Sequence, residues 1–362
     1  LIQGFLFAVC FGYSLYFNRH NTAIQGEFNC FASGKIPMMS QPQAAKRLQG
    51  TVLRSTGSWY RVRTEQGEYN CRIRGKLRLD GLKSTNPLAA GDEVEVEVLP
   101  DETAQAMVVK RHPRRNYIIR RAVNLARQTQ IIAANLDQAV LIVTLVDPPT
   151  YPRFIDRFAV TAEAYSVPLL LVFNKIDLYG TAEQEELAYH TAVYRDAGYP
   201  VLHTSVPHGI GTEALANSLR GKRSLLSGHS GVGKSSLINV LAPELQLRTG
   251  RISDSHRQGQ HTTTFAEMFT LSGDAEIIDS PGIRGFGLVE MEPAEIGDYF
   301  PEIFRYKAQC RFHNCLHLQE PGCAVREAVE AGDLPISRFE SYLSFVEGTD
   351  DDSMYRQDQH RK

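Results

Sequence analysis

Residues 228–235 read GHSGVGKS, a match to the phosphate-binding pattern G-x-x-x-x-G-K-[ST]. An apolar strand is predicted just before it, over 223–227, and a helix is predicted to start in KSSLINVLA. In that setting backbone N–H groups surround phosphates, Lys234 reaches the outer phosphates, and Ser235 ligates Mg²⁺. The loop residues assigned to nucleotide binding are Gly228, His229, Ser230, Gly231, Val232, Gly233, Lys234, Ser235 and Ser236. The alternative is a glycine-rich turn that binds nothing.

The base of the nucleotide is predicted from NKID, residues 174–177, at the end of an apolar strand. The Asp177 carboxylate can accept from the ring N–H and the exocyclic amine of guanine, and adenine lacks that pair of donors. Asn174 and Lys175 complete this motif, and Thr204 and Ser205 are assigned to a loop behind the base. NKID alone is a weak signal, but together with the phosphate loop it favours GTP over ATP.

Two further stretches predict the groups that act on the terminal phosphate. In AEIIDSPG, residues 275–282, Asp279 can reach Mg²⁺ through water and the Gly282 N–H can bond the γ-phosphate. The polar stretch 247–269 is predicted to be a switch loop, with Thr262 or Thr263 as a magnesium ligand beside Ser235. Ile283 follows Gly282, so another group must orient the attacking water, and His261 is the candidate.

The order of these motifs is unusual because Asn174 precedes Gly228 by 54 residues, whereas NKxD ordinarily follows the phosphate loop. Apolar strands alternate with helices from residue 136, a pattern that predicts a parallel sheet covered by helices. We therefore expect a circularly permuted α/β P-loop GTPase domain over 136–290. Its switch elements would then adjoin the next domain directly.

Upstream, residues 48–109 contain short alternating strands such as DEVEVEVL, separated by turn residues. Five strands of this size suit an OB-fold barrel over 46–113, a fold that often binds oligonucleotides. The alternative is a small antiparallel barrel used only for packing.

The charge distribution favours nucleic acid as a partner. Residues 46–127 carry 17 Lys and Arg against nine Asp and Glu, and 103–136 contain no acidic residue. Nearby aromatic residues that could stack on bases are Trp59, Tyr60, Tyr69 and Tyr117. Residues 114–135 are expected to form a basic linker between the barrel and the next domain. The alternative to nucleic-acid binding is that this charged stretch is only solvated.

The carboxyl-terminal region contains CRFHNCLHLQEPGC, residues 310–323. Cys310, Cys315, His317 and Cys323 supply three thiolates and one imidazole, which predicts one closed structural zinc site. His313 is a competing ligand, and unliganded packed thiols are the alternative. Helices are predicted to follow, so 291–347 is expected as an α-helical zinc-binding domain and 348–362 as a flexible tail.

Composition excludes several protein classes. The chain has 362 residues, 43% hydrophobic and 22% charged, which excludes a wholly disordered chain and a multi-span membrane protein. Six cysteines are too few for a disulfide scaffold. The apolar stretch 1–17 is short and interrupted by Gln3, Gly4 and Gly12, so 1–45 is treated as an uncertain extension and stable membrane association is not expected.

The combination resembles the ribosome small-subunit-dependent GTPase A family, the RsgA-type circularly permuted GTPases, over residues 46–347. The order barrel, NKID, GHSGVGKSS, QHTTT, DSPG and CRFHNCLHLQEPGC carries the resemblance. It implies a cytoplasmic GTP hydrolase that acts late in assembly of the small (30S) ribosomal subunit and is stimulated by that subunit. Its OB and zinc domains would contact rRNA, and we expect a monomer.

Two other functions stay open at this point. One is an RNA-binding assembly scaffold that holds GTP as a structural ligand without useful turnover, which the residue Ile283 permits. The other is a nucleoside kinase or ATPase, against which Asp177 argues.

Overall fold

The computed structural model describes residues 46–75, 86–98, 105–122, 125–245, 266–280 and 291–349. The expected extension 1–45, the tail beyond 349 and four assigned site residues lie outside this part of the chain. Those four residues are His261, Thr262, Thr263 and Gly282. Among the described helices, none combines the length and the apolar character needed to cross a bilayer.

The first folded element is a closed five-stranded barrel, as the alternating pattern predicted. Its strands are β1 (Arg47–Ser55), β2 (Tyr60–Thr64), β3 (Gly67–Ile73), β4 (Glu93–Val98) and β5 (Gln105–Arg111). Strand β1 pairs with β2 and β4, and β5 pairs with β4 and, in parallel, with β3, so the ring is closed. Along β4 the valines Val94 and Val96 are buried while alternate glutamates face outward, because successive side chains leave opposite faces of a strand.

The basic segment 114–135 differs from the expected linker. Residues Tyr117–Ala122 (β6) and Leu125–Ala134 (β7) form an antiparallel pair. Ile118, Ile119 and Ile131 are buried, so this segment contributes to the core. The linker interpretation fails because the segment carries two pairs of adjacent isoleucines beside its arginines, Ile118–Ile119 and Ile131–Ile132, and all four are buried.

The permuted α/β arrangement is present. Its strands are β8 (Gln138–Val143), β9 (Leu169–Phe173), β10 (Val201–His203), β11 (Arg223–Ser227), β12 (Glu267–Leu271) and β13 (Ala275–Asp279). They lie in the order β10-β9-β8-β11-β13-β12, parallel except for β12. The helices are α1 (Pro152–Ala164), α2 (Thr181–Asp196), α3 (Thr212–Leu219) and α4 (Lys234–Leu241). Strands β8, β9 and β11 are almost wholly buried, which explains their apolar runs.

The barrel and the α/β sheet are joined edge to edge. Strand β1 pairs antiparallel with β12 at Arg54 and Glu267, so the barrel strands continue the sheet. Strand β12 pairs in turn with β13, which ends at Asp279. The barrel is therefore attached to the strand pair that leads to a predicted site residue.

The carboxyl-terminal region is helical, with α5 (Pro293–Ile296), α6 (Pro301–Lys307), α7 (Ala324–Ala331) and α8 (Ile336–Val346). Phe300, Ile303 and Val325 form the centre of its core, and Val160 of α1 packs into the same cluster. Helix α1 thus contributes to the α/β core through one face and to the carboxyl-terminal core through another.

Candidate nucleotide-binding site and metal cluster

The loop 228–233 connects β11 to α4 and requires glycine at two close approaches. A Cβ atom on Gly228 would lie 2.3 Å from the Ile142 carbonyl oxygen, and one on Gly233 would lie 2.4 Å from Asn174 Nδ2. Both residues have positive φ, 151° and 96°. Residues with a side chain adopt this backbone conformation only at a cost in free energy. The loop therefore packs its backbone against β8 and the NKID segment.

Lys234 opens helix α4 and turns back over the loop. Its Nζ donates to the carbonyl oxygens of Gly228 at 2.5 Å and His229 at 2.9 Å. Burial lowers the pKa of Lys234, and the nearby Asp279 carboxylate opposes that shift. The ammonium group thus lies inside the loop, where it can meet an anion.

Asp279 lies at the end of β13, next to β11 in the parallel sheet. Burial is the main cause that raises its pKa to about 6; Lys234 lowers it and Glu267 raises it further. Its Oδ1 atom is buried without a hydrogen-bond partner among the described residues. A buried carboxylate oxygen in this state can accept from a bound water or face a cation, and the magnesium role of Asp279 stays a prediction.

The NKID segment is joined to the phosphate loop although 58 positions separate the two bonded residues. Asn174 Nδ2 donates to the Val232 carbonyl oxygen at 2.8 Å. Thr204 Oγ1 donates to Asn174 Oδ1 at 2.8 Å, and Ser205 Oγ donates to Asp177 Oδ1 at 2.5 Å. The structure thus brings the predicted base-reading residues, their predicted backing loop and the phosphate loop together.

The remaining predicted residues of this group also lie at the site. Lys175 has a positive φ of 61°, and its Nζ donates to the Asp147 carbonyl oxygen at 2.5 Å. The ring of His229 contacts Phe154 of α1 in a tilted arrangement, with 3.9 Å between ring centroids. Ser230, Gly231, Ser235 and Ser236 belong to the loop and the first turn of α4.

The four predicted metal ligands form one cluster. The ligand atoms of Cys310, Cys315, His317 and Cys323 all lie within 4.8 Å of one another. The Sγ atoms of Cys310 and Cys323 are 4.0 Å apart, and His317 Nδ1 is 3.3 Å from Cys323 Sγ. His313, the competing ligand, is exposed and outside the cluster. The four residues could hold one metal ion.

The donor set fits a tetrahedral metal. Sulfur atoms bound to one metal at about 2.3 Å lie about 3.8 Å apart in a tetrahedral site, close to the distance found between Cys310 and Cys323. Burial and the neighbouring thiols raise the pKa of Cys315 to about 12, so a cation is needed to hold these sulfurs as thiolates.

The burial of the aromatic residues corrects the prediction that all four could stack on bases. Tyr60 is buried in the barrel core, Tyr69 packs against the same core, and Tyr117 packs on Tyr165 at 5.0 Å. Trp59 is 37% exposed, and the Arg72 guanidinium lies 4.1 Å from its ring centroid. Of the four predicted aromatics, Trp59 has an exposed ring.

The excess of basic residues is also less available than the sequence suggested. Arg61 pairs with Glu267 at 2.5 Å, Arg114 with Asp92 at 2.6 Å and Lys110 with Glu95 at 2.9 Å. Other barrel arginines in ion pairs are Arg47, Arg54, Arg63 and Arg74. Much of the local positive charge therefore serves contacts within the protein.

Sequence reasoning missed three residues at or near these sites. The Tyr179 hydroxyl donates to the Asn174 carbonyl oxygen at 2.9 Å and fixes the turn of NKID. Glu267 lies beside Asp279, and Arg338 is buried between α1 and α6. The position of Tyr179, two residues after NKID, is a signal that could have identified it. No local sequence pattern marks Glu267 or Arg338.

Comparison with protein families gives two matches. The family model described as RsgA GTPase matches residues 111–289, and the model described as RsgA N-terminal domain matches residues 49–107. A curated protein of Christiangramia forsetii, named small ribosomal subunit biogenesis GTPase RsgA, is 52% identical over 317 residues. That match covers 87% of this chain and 100% of the relative. A protein of the same name from Porphyromonas gingivalis is 51% identical over 304 residues, covering 83% and 96%.

Solved structures agree with these matches. YjeQ from Thermotoga maritima is 34% identical with a TM-score of 0.68, over 84% of this chain and 98% of that one. YloQ, described as a circularly permuted GTPase, is 26% identical with a TM-score of 0.64, over 85% and 97%. With its barrel, its permuted nucleotide domain and its Cys3His cluster, the chain belongs to the RsgA family of circularly permuted GTP hydrolases.

Proposed function

We propose that this protein hydrolyses GTP during late maturation of the small (30S) ribosomal subunit and that the subunit stimulates its turnover. The observation that carries the proposal is the hydrogen bond from Asn174 to Val232, which joins the base-reading segment to the phosphate loop. The relatives named small ribosomal subunit biogenesis GTPase support the choice of partner, since this chain covers nearly their whole length.

In this proposal Asp177 selects guanine. Its Oδ1 accepts from Ser205, which leaves Oδ2 and a second lone pair of Oδ1 for the two donors of the base. Asn174, Lys175 and Thr204 position that carboxylate. Adenine offers no matching donor pair, so ATP would leave a desolvated carboxylate without partners.

The phosphates would lie along 228–236, with Lys234 meeting the outer phosphates. Mg²⁺ would supply charge neutralisation between the β- and γ-phosphates. Ser235 and Asp279 would hold it, Asp279 through water, and Thr263 would complete the set. Thr262, the Gly282 N–H and His261 remain our candidates for the terminal phosphate and its attacking water.

The Cys3His cluster would hold one structural Zn²⁺, because three thiols and an imidazole are ligands that zinc prefers. The ligands come from a loop between α6 and α7, so the ion would fix a segment with little regular structure of its own. Removal of the ion would leave the Cys315 and Cys323 thiols with pKa values raised mainly by burial, so both would be protonated.

Contact with rRNA would involve the barrel surface at Trp59 and Arg72 and the exposed part of the metal loop. Residues 311–314, RFHN, are exposed between two ligands, and the Arg311 guanidinium lies 5.5 Å from the Phe312 ring centroid. Both surfaces combine an aromatic ring with a cation, which suits unpaired bases next to phosphates.

We further propose domain bounds of 46–113, 136–290 and 291–347, with the β6–β7 pair between the first two. The cytoplasm is the expected location because the partner is a ribosomal subunit, and a monomer is the expected state.

The decisive experiment measures GTP hydrolysis by the full chain alone, with purified small subunits and with large subunits, at two salt concentrations. We expect strong stimulation by the small subunit only, and less of it at high salt. Binding to the small subunit with no change in rate would favour the scaffold function.

Nucleotide choice is tested with Asp177→Asn. We expect the wild type to prefer GTP over ATP by at least about 100-fold and the variant to lose most of that preference. Asp274→Asn is the control, since Asp274 is exposed in a turn with φ of 56°, where asparagine is tolerated. Equal binding of both nucleotides by the wild type would overturn the proposed specificity.

A further inference from the structure

A row of charged residues runs from the barrel to the nucleotide site. Arg61 of β2 is the register partner of Arg54 of β1, Arg54 is the partner of Glu267 of β12, and Glu267 is the partner of Asp279 of β13. Directly opposite residues in antiparallel strands direct their side chains to the same face. Two cations and two carboxylates thus lie side by side across four strands.

The contacts within the row are direct on the barrel side. Arg61 Nη2 lies 2.5 Å from Glu267 Oε1, and Arg54 Nη1 lies 3.4 Å from Glu267 Oε2. Each oxygen of Glu267 therefore has its own arginine, and both arginines belong to the barrel. The Glu267 side chain is 16% exposed, so these pairs are only partly screened by water.

Glu267 and Asp279 influence one another on the other side of the row. Burial is the main cause that raises the pKa of Asp279, and the Glu267 carboxylate raises it further. Asp279 Oδ1 is buried without a described partner, so no hydrogen bond to that atom fixes the orientation of the carboxylate. The neighbouring charges can therefore influence how the Asp279 carboxylate is oriented.

A second ion pair joins the same elements without reaching Asp279. Arg63 of β2 bonds Glu276 of β13, and Arg223 also pairs with Glu276, at 2.7 Å. Glu276 precedes Asp279 by three residues in the strand, so its side chain leaves the opposite face. This pair holds the barrel to the sheet but lies apart from the charged row.

We propose that Glu267 is a positioning residue for Asp279 and that Arg54 and Arg61 hold it in place from the barrel. The inference rests on the proposed function, in which Asp279 faces Mg²⁺. With Glu267 intact, the two arginines are occupied and Asp279 stays directed at the nucleotide. A partner that moves the barrel would separate Arg54 and Arg61 from Glu267. That change would be transmitted to the nucleotide site across four strands.

The test compares Glu267→Gln with Glu276→Gln in the full chain. Without the Glu267 charge, Asp279 is the carboxylate next in the row to the two arginines, and we expect it to be drawn toward them. The Mg²⁺ concentration for half-maximal binding of a fluorescent GDP should then rise roughly threefold or more. Glu276→Gln should leave that Mg²⁺ concentration unchanged, although it should lower the melting temperature about as much as Glu267→Gln does.

A rescue separates positioning from general damage. Arg61→Gln added to Glu267→Gln removes a cation that competes for Asp279, so the Mg²⁺ requirement should return toward that of the wild type. Arg63→Gln added to Glu267→Gln should give no such return, because Arg63 bonds Glu276.

The outcomes distinguish this inference from the proposed function. If Asp279→Asn leaves the Mg²⁺ requirement of GDP binding unchanged, the proposed role of Asp279 fails. If Asp279→Asn raises it but Glu267→Gln behaves like Glu276→Gln, or Arg61→Gln gives no rescue, the role of Glu267 is overturned and the proposed function stands.

Discussion

Arg338 of α8 and Asp156 of α1 form a salt bridge in which both side chains are about 1% exposed, although 182 positions separate them. Arg338 Nε also donates to Glu302 Oε1 of α6 at 2.5 Å. The Tyr194 hydroxyl donates to the same oxygen of Asp156 at 2.9 Å. One buried cation therefore connects the nucleotide domain with two helices of the carboxyl-terminal region.

We expect Arg338→Ala to destabilise the protein by about 3–5 kcal/mol, because it leaves two buried carboxylates without their cation. Arg305→Ala is the control, since Arg305 pairs with Asp196 at an exposed position and should cost at most about 1 kcal/mol. Urea unfolding of the three proteins measures both values. A loss below about 1 kcal/mol for Arg338→Ala would show that the buried pair is not holding these helices together.

Asp279 makes stability depend on pH in the protein without nucleotide or Mg²⁺. Its pKa rises from 3.8 to about 6 on folding, so the folded state resists ionisation. The resulting destabilisation is absent below pH 4 and grows as the pH rises through 6. It lowers the free energy of unfolding by up to about 3 kcal/mol. In buffer without Mg²⁺ or nucleotide, Asp279→Asn should thus be more stable than the wild type at pH 7.5 and equal to it near pH 4. Equal urea midpoints at pH 7.5 would contradict this expectation.

The metal cluster predicts one ion per chain, held by His317 and not by His313. Elemental analysis should find about one zinc in the wild type and in His313→Ala, and much less in His317→Ala. The melting temperature should fall for His317→Ala alone, because metal binding contributes to folding. Full metal content in His317→Ala would assign the fourth ligand to another residue.

Trp59 is the single tryptophan of the chain, so its fluorescence reports on the barrel surface alone. We expect its emission to be quenched when the protein binds single-stranded RNA, because bases stack on exposed rings. Trp59→Ala should weaken RNA binding by about 1–3 kcal/mol. Phe304→Ala, at a 59% exposed aromatic of α6, is the control and should bind normally. Unchanged emission on binding would exclude Trp59 from the interface.

Much of the fold could be predicted because its signals are local. The loop 228–235, the NKID segment and the four metal ligands each depend on spacing within a short stretch, and the structure brings each group together. The apolar runs of β8 and β9 identified a parallel sheet for the same reason.

The remaining features depend on pairings that a sequence pattern does not carry. The arginines of the barrel suggested a surface for phosphates, but Glu267 and Glu276, some 200 residues later, occupy three of them. Tyr60 and Trp59 are adjacent aromatics, yet strand alternation buries the first and exposes the second. No local sequence pattern marks Arg338, because its carboxylate partners Asp156 and Glu302 belong to α1 and α6.

The edge-to-edge pairing of β1 with β12 sets an order of events during synthesis. The barrel leaves the ribosome before β12, and Glu267 follows its partner Arg61 by 206 positions. At about 5–20 residues per second, Arg61 waits roughly 10–40 s for that partner. During that interval the outer edge of β1 and several barrel arginines lack their later partners, so a newly made barrel offers nucleic acid more positive charge than the finished protein does.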